Sequence, residues 1–186
     1  MHQNQPASST IKLITIGSGI FFTLIAYVVI AVVQHQPFSS IFLGGQPLLT
    51  QLGIGILTGI VSVLLLIYVP AFSDVRRFAH QMIGQQLNPS KTEIPLIAIA
   101  TGVGEELLYR AVIQPFVGIW VTSLLFALSH VGIDLKKPYM IAFNMFLFVM
   151  SMAMGALYIW VGLVAAIAAH ITYNIGIMSY IHSKKA

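Results

Sequence analysis

Glu105, Glu106, Arg110, His130 and His170 lie within otherwise apolar stretches of the chain, joined by the amides Asn144 and Asn174. Ionisable groups at membrane depth are expensive and mark function or a specific pair. Their spacing sorts them. Glu106 and Arg110 are four residues apart with the glutamate first, the favourable order for a helical ion pair. Glu105 sits about 100° round the same helix, so it is not the natural partner of Arg110. A carboxylate buried away from a cation can take up a proton, which suits a general base or acid. His130 can share a water with it. His170 and Asn174, also four apart, share one helix face, where an imidazole and an amide can donate hydrogen bonds to a developing oxyanion. Taken singly, these residues read as structural: Glu106 with Arg110 as an ion pair, His130 beside Ser129, His170 and Asn174 as interhelical hydrogen-bonding groups, with Asn144 in that role as well.

The elements that must position them are membrane helices. The chain has 186 residues, 58% hydrophobic and only 8% charged, where a soluble domain carries about a quarter charged residues. Mean hydropathy is +0.90. The fold class is therefore all-α, a polytopic helical bundle forming a single membrane domain over 1–186. Without cysteine there is no disulfide or thiolate chemistry, and nothing points to nucleic acid. The first apolar run lacks the flanks of a signal peptide and reads as a retained span. Six spans are expected: Ile11–Val33, Pro47–Val69, Ile94–Trp120, a short Val121–Ile133, Tyr139–Trp160 and Val161–Ile181. The last boundary rests on the Trp and Tyr residues of "YIWVGLVAA" at an interface.

Charge supports that count. Arg76, Arg77 and Lys91, then Lys136 and Lys137, then Lys184 and Lys185 all fall on one side when six spans are drawn. The positive-inside rule makes that side, and both termini, cytoplasmic. Counting along straight helices, Glu105 lies roughly 16 Å from the cytoplasmic start of its span, and His130 and His170 roughly 15 and 13 Å from the outer starts of theirs. Three helices thus bring polar groups to one level. Residues 71–88 read as an amphipathic interfacial helix, with Phe72, Val75, Phe78, Ala79, Met82 and Ile83 on one face and Arg76, Arg77 and His80 on the other. A basic membrane anchor is favoured for it over a gate above a site. Ser73 is expected to cap its start and Asn88-Pro89 to end it, and Thr92 to cap the next helix. Gly55, Gly59 and Gly102 read as close-packing positions. His35, His80 and His182 fall in loops or helix ends and read as solvated.

The stretches "EELLYR", "FALSH" and "HITYN" fit the patterns EExxxR, FxxxH and HxxxN, in that order and on separate spans. Together they resemble the three motifs of the CAAX-protease and bacteriocin-processing (CPBP, or Abi) intramembrane proteases, which include the Rce1-like CAAX-processing enzymes. The resemblance covers roughly 94–181, which it marks as the catalytic core. It implies an endopeptidase in which Glu105 and His130 activate water, His170 and Asn174 stabilise the oxyanion, and Glu106, Arg110 and Phe126 support the site. Family members are often labelled metalloproteases. A divalent metal such as zinc would draw on Glu105, His130 and His170, and the sequence leaves open metal-bound or glutamate-activated water. The substrates implied are lipidated CAAX-type peptides or bacteriocin and pheromone precursors, met at the lipid bilayer. The short loops suggest a prokaryotic plasma membrane.

Other protease patterns are missing. There is no HExxH, the "IGSG" around Ser18 is no nucleophile elbow, and no span carries paired aspartates. Two alternatives from other classes are a non-catalytic immunity or regulatory protein and a proton-coupled transporter. The first does not need all of the polar positions, and the second lacks the inverted repeats such folds often show.

Overall fold

A computed structural model describes residues 7–131 and 137–184. Lys136 and Lys185, part of the charge argument, lie outside the described residues, as does Ile133. All elements among the described residues are helical: α1 (Ser8–Val28, extended by a π-helical turn Val29–Val33), α2 (Leu48–Tyr68), α3 (Ser73–Ala79, continued by the π-helix His80–Leu87), α4 (Glu93–Glu106, continued by the π-helix Leu107–Ile113), α5 (Gln114–His130), α6 (Pro138–Trp160) and α7 (Leu163–Ser183), with short 3-10 helices at Phe38–Phe42 and Pro70–Phe72.

Five helical stretches are long and apolar enough to cross a membrane, against the six expected. The difference lies in the 38-residue stretch Glu93–His130. It is folded double at Gly118, whose φ of 76° and ψ of 170° break the helix. A straight helix would hold Tyr109 and Phe126 roughly 25 Å apart; their ring centroids are 5.0 Å apart. The turn falls two residues before the expected boundary after Trp120, because glycine alone enters this backbone region freely. The returning limb, 119–130, covers only about 18 Å, less than the hydrocarbon thickness of about 30 Å. It therefore ends at His130, short of a full crossing, with that side chain 31% exposed.

The remaining boundaries fall near those expected. α6 ends at Trp160, and Gly162 at φ 135° starts the return into α7. At that end of the bundle Gln46 N–H donates to Val161 O at 2.7 Å. The buried Gln51 amide donates to the carbonyls of Gly44 and Gln46 and accepts from Val164 N–H. At the other, basic end, Ser8 Oγ donates to Leu87 O, Lys12 pairs with Glu93 at 2.9 Å, and His182 Nδ1 meets Pro89 O at 3.1 Å. His182 is thus a tie between segments, not a solvated group.

Helices α1, α4, α7 and α2 pack in that order, and the α5–α6 hairpin closes against α7 and the π-helix after α4. Small residues set the approach. A Cβ at Gly55 or Gly59 would strike the backbone of α7 at Ala165 and Ala169, one at Gly102 would meet Ile171, and Gly19 and Gly104 cross backbone to backbone. Large apolar side chains of α1 and α2, such as Leu13 and Leu49, face outward, as a lipid-facing surface requires.

The interfacial segment is held more firmly than a surface anchor. Val75 and Ala79 are buried, Phe72 packs on Phe146 with centroids 5.5 Å apart, and Phe78 packs on Phe143 at 4.9 Å. Arg76 donates to Leu66 O and Val69 O, satisfying carbonyls at the end of α2. Two expected caps are absent. Ser73 is already helical and Phe72 precedes it, while Thr92 makes no capping bond. Instead Glu93 reaches back to accept from Ser90 N–H and Ser90 Oγ. Asn88 ends the segment in the left-handed region, at φ 46°.

Candidate active site

Glu105 and Glu106 close α4, and the backbone then loosens into a π-helix that carries Tyr109 and Arg110. Such π segments are frequent at functional sites. The two glutamates diverge as their 100° separation requires. Glu106 is fully buried, its Oε2 accepting from Arg110 Nε at 2.8 Å and its Oε1 from His170 Nδ1 at 2.7 Å. Arg110 is equally buried. It also donates to Gln114 Oε1 at 3.2 Å and Ser151 Oγ at 2.9 Å, and lies 5.8 Å from the centre of the Phe126 ring. Gln114 passes the chain of bonds on to Gly155 O. A single internal ion pair therefore joins α4, α5, α6 and α7.

Glu105 faces the other way. Its Oε2 lies 3.3 Å from His130 Nε2 and 3.9 Å from His170 Nε2, and it is buried without a hydrogen bond from any described residue. The imidazole orientations follow from their other nitrogens. His130 Nδ1 is 2.8 Å from Phe126 O, and a carbonyl can only accept, so Nδ1 carries hydrogen. His170 Nδ1 likewise donates to Glu106, whose charge is committed to Arg110. In their neutral forms both rings turn a bare Nε2 towards Glu105. The arrangement is therefore complete only with a proton or a water's hydrogens between them.

Phe126 stacks against His130 with centroids 4.3 Å apart, which places the ring as well as accepting its N–H. Asn174 Nδ2 donates to Thr101 Oγ1 at 3.1 Å. Thr101 spends its own hydrogen on Ile97 O, so it can only accept from the amide and fixes which way that amide points. Among the described residues Asn144 does not join helices: its amide donates to Met140 O of its own helix, and its Oδ1 is buried without a partner.

Glu105, Phe126, His130, His170 and Asn174 line one cavity of about 280 Å³. Its far wall is the interfacial segment, through Ala79, Met82, Ile83 and Gln86. The helix expected to be an anchor thus also roofs the site. Thr101, Gln114 and Ser151 belong to this network and escape a search for ionisable residues. Gln114 had a readable signal, since it repeats the four-residue step from Arg110. Ser151 had none, because only tertiary folding puts α6 against Arg110.

Among the described residues no three His, Asp or Glu side chains are arranged to hold a metal ion. Glu105, His130 and His170 do not form such a group.

An all-helical bundle with membrane-spanning helices and a buried carboxylate–imidazole cluster defines an integral membrane protein. Residues 90–176, which carry the whole cluster, match the family model described as type II CAAX prenyl endopeptidase Rce1-like. That family implies a protease, with a peptide or protein as substrate and a membrane as its setting. Comparison with curated proteins and with solved structures gave no match.

Proposed function

We propose that the chain is an intramembrane endopeptidase in which Glu105 and His130 activate a water molecule. The observation that carries this reading is Glu105 Oε2, buried, without a hydrogen bond from any described residue, and facing Nε2 of both histidines at the wall of the cavity. A water there donates one hydrogen to Glu105 and the other to His130 Nε2, and its oxygen attacks the scissile carbonyl carbon. The proton taken by Glu105 passes to the amide nitrogen as the C–N bond breaks, leaving a carboxylic acid and an amine. Asn174 keeps one amide hydrogen for the oxyanion after bonding Thr101.

When Glu105 accepts the water's proton, the oxyanion takes over the negative charge, so the net charge of the site is unchanged, which matters where screening is weak. The apolar cavity walls, among them Met82, Phe143, Leu147, Met150 and Met154, suit a lipidated or strongly apolar peptide: a CAAX-type end or a bacteriocin or pheromone precursor.

The test is cleavage of a library of lipidated and unlipidated peptides by the protein in lipid vesicles, with products identified by mass spectrometry. Glu105→Gln and Glu105→Ala should each lower the rate by roughly 10²–10⁴-fold, the range for loss of a general base. Cleavage that survives both substitutions overturns the assignment.

A further inference from the structure

We propose that a second cavity, on the other side of the interfacial segment, binds the headgroup phosphate of an anionic phospholipid and thereby holds the roof of the first cavity in place. The second cavity measures about 380 Å³ and is lined by Arg76, Arg77, His80 and Lys184 around a floor of Ile177 and Ile181. No Asp or Glu is among its lining residues. Asp74 makes a loose, exposed contact with Arg77 at 3.8 Å, of the kind that contributes little.

The groups differ in how committed they are. Arg76 already serves the end of α2 through Leu66 O and Val69 O. Arg77 is 75% exposed along its side chain, and Lys184 lies 5.7 Å from the Tyr180 ring centre. Arg77 and Lys184 can therefore turn to an incoming anion, one from α3 and the other from the end of α7. The cavity sits on the basic face of the bundle, which the positive-inside rule assigns to the cytoplasmic headgroups. A polar rim above an isoleucine floor suits a phosphate with its glycerol and first methylenes, and basic pockets on this side of membrane proteins take such headgroups.

The two cavities share a wall. Along residues 73–87, Ala79, Met82, Ile83 and Gln86 face the first cavity, while Ser73, Arg76, Arg77, His80, Gln81 and Gln85 face the second. Ile177 of α7 lines both. A phosphate bridging Arg77 and Lys184 would tie this segment to α7. The inference does not depend on the peptidase reading.

The experiment compares wild type with the double variant Arg77→Gln/Lys184→Gln and with Lys91→Gln. The last removes a charge from the same face outside the cavity. Retention of phosphatidylglycerol against phosphatidylcholine is measured by native mass spectrometry. Hydrogen exchange of residues 80–87 is followed in phosphatidylcholine vesicles with and without phosphatidylglycerol. Two basic groups predict a loss of selective retention on the order of thirtyfold in the double variant, none in Lys91→Gln, and protection of 80–87 that rises with phosphatidylglycerol in wild type only. Equal retention by wild type and double variant overturns the site, and so does an equal loss in Lys91→Gln. Unchanged exchange of 80–87 overturns the link to the roof. Retention abolished by inorganic phosphate would make the ligand a soluble anion and overturn the lipid assignment.

Discussion

Replacing each glutamate of the pair in turn should separate fold from chemistry. Glu106 is wholly buried, and its carboxylate is the only one within ion-pairing distance of Arg110 among the described residues, so Glu106→Ala strands a buried guanidinium. Removing one partner of a buried pair costs about 3–5 kcal/mol. The loss of the hydrogen bond to His170 Nδ1 adds about 1.5–3 kcal/mol, the usual worth of a bond to a charged group. The sum is a large share of a stability of about 5–15 kcal/mol. Glu105→Gln removes a charge that has no buried cation of its own and keeps the shape, so the fold should hold. The assay is paired: thermal unfolding of each variant in detergent, and peptide cleavage by the same preparations. Glu106→Ala should unfold far below wild type, whereas Glu105→Gln should unfold close to wild type and be inert. Equal destabilisation of the two variants would refute the division, because it would make Glu105 a structural partner as well. A stable, active Glu106→Ala protein would refute the account of the ion pair.

Other substitutions probe the frame around the cluster. Gly118→Ala should cost about 1–3 kcal/mol, since φ 76° with ψ 170° is a region glycine alone enters freely, and hydrogen exchange of 119–130 should rise with it. Ser151→Ala leaves one Arg110 N–H without its acceptor and should lower stability by about 1–3 kcal/mol in the same unfolding assay. Asn144→Leu, by contrast, removes a buried oxygen that has no partner among the described residues and should be neutral or stabilising. Gly59→Leu should separate α2 from α7, because a Cβ there already meets Ala169 O and Thr172, and a cross-link placed between those helices should lose yield.

Much of the site is legible from local periodicity. The four-residue step from Glu106 to Arg110 and the turn of 100° between neighbours are properties of any helix, and the structure keeps both relations. The step from His170 to Asn174 survives as a shared face but not as a shared partner, since His170 bonds Glu106 and Asn174 bonds Thr101. The span count was less legible. Hydropathy sees one long apolar run from Glu93 to His130, and only the backbone at Gly118 shows where it doubles. The interfacial segment shows its two faces in the sequence, yet nothing local says that one face will cover a cavity.

The sequence by itself determines the membrane class, the helical state and the pairing within each helix. These follow from composition and from interactions a few residues long. Tertiary structure alone decides which nitrogen of each histidine faces Glu105, that Ser151 and Gln114 complete the Arg110 network, and that the segment 73–87 roofs the site. Those relations join residues tens of positions apart, as Glu106 with His170 or Arg110 with Ser151. No helical period encodes them. They are set by how closely the glycine-lined helices approach and by where Gly118 turns the chain back.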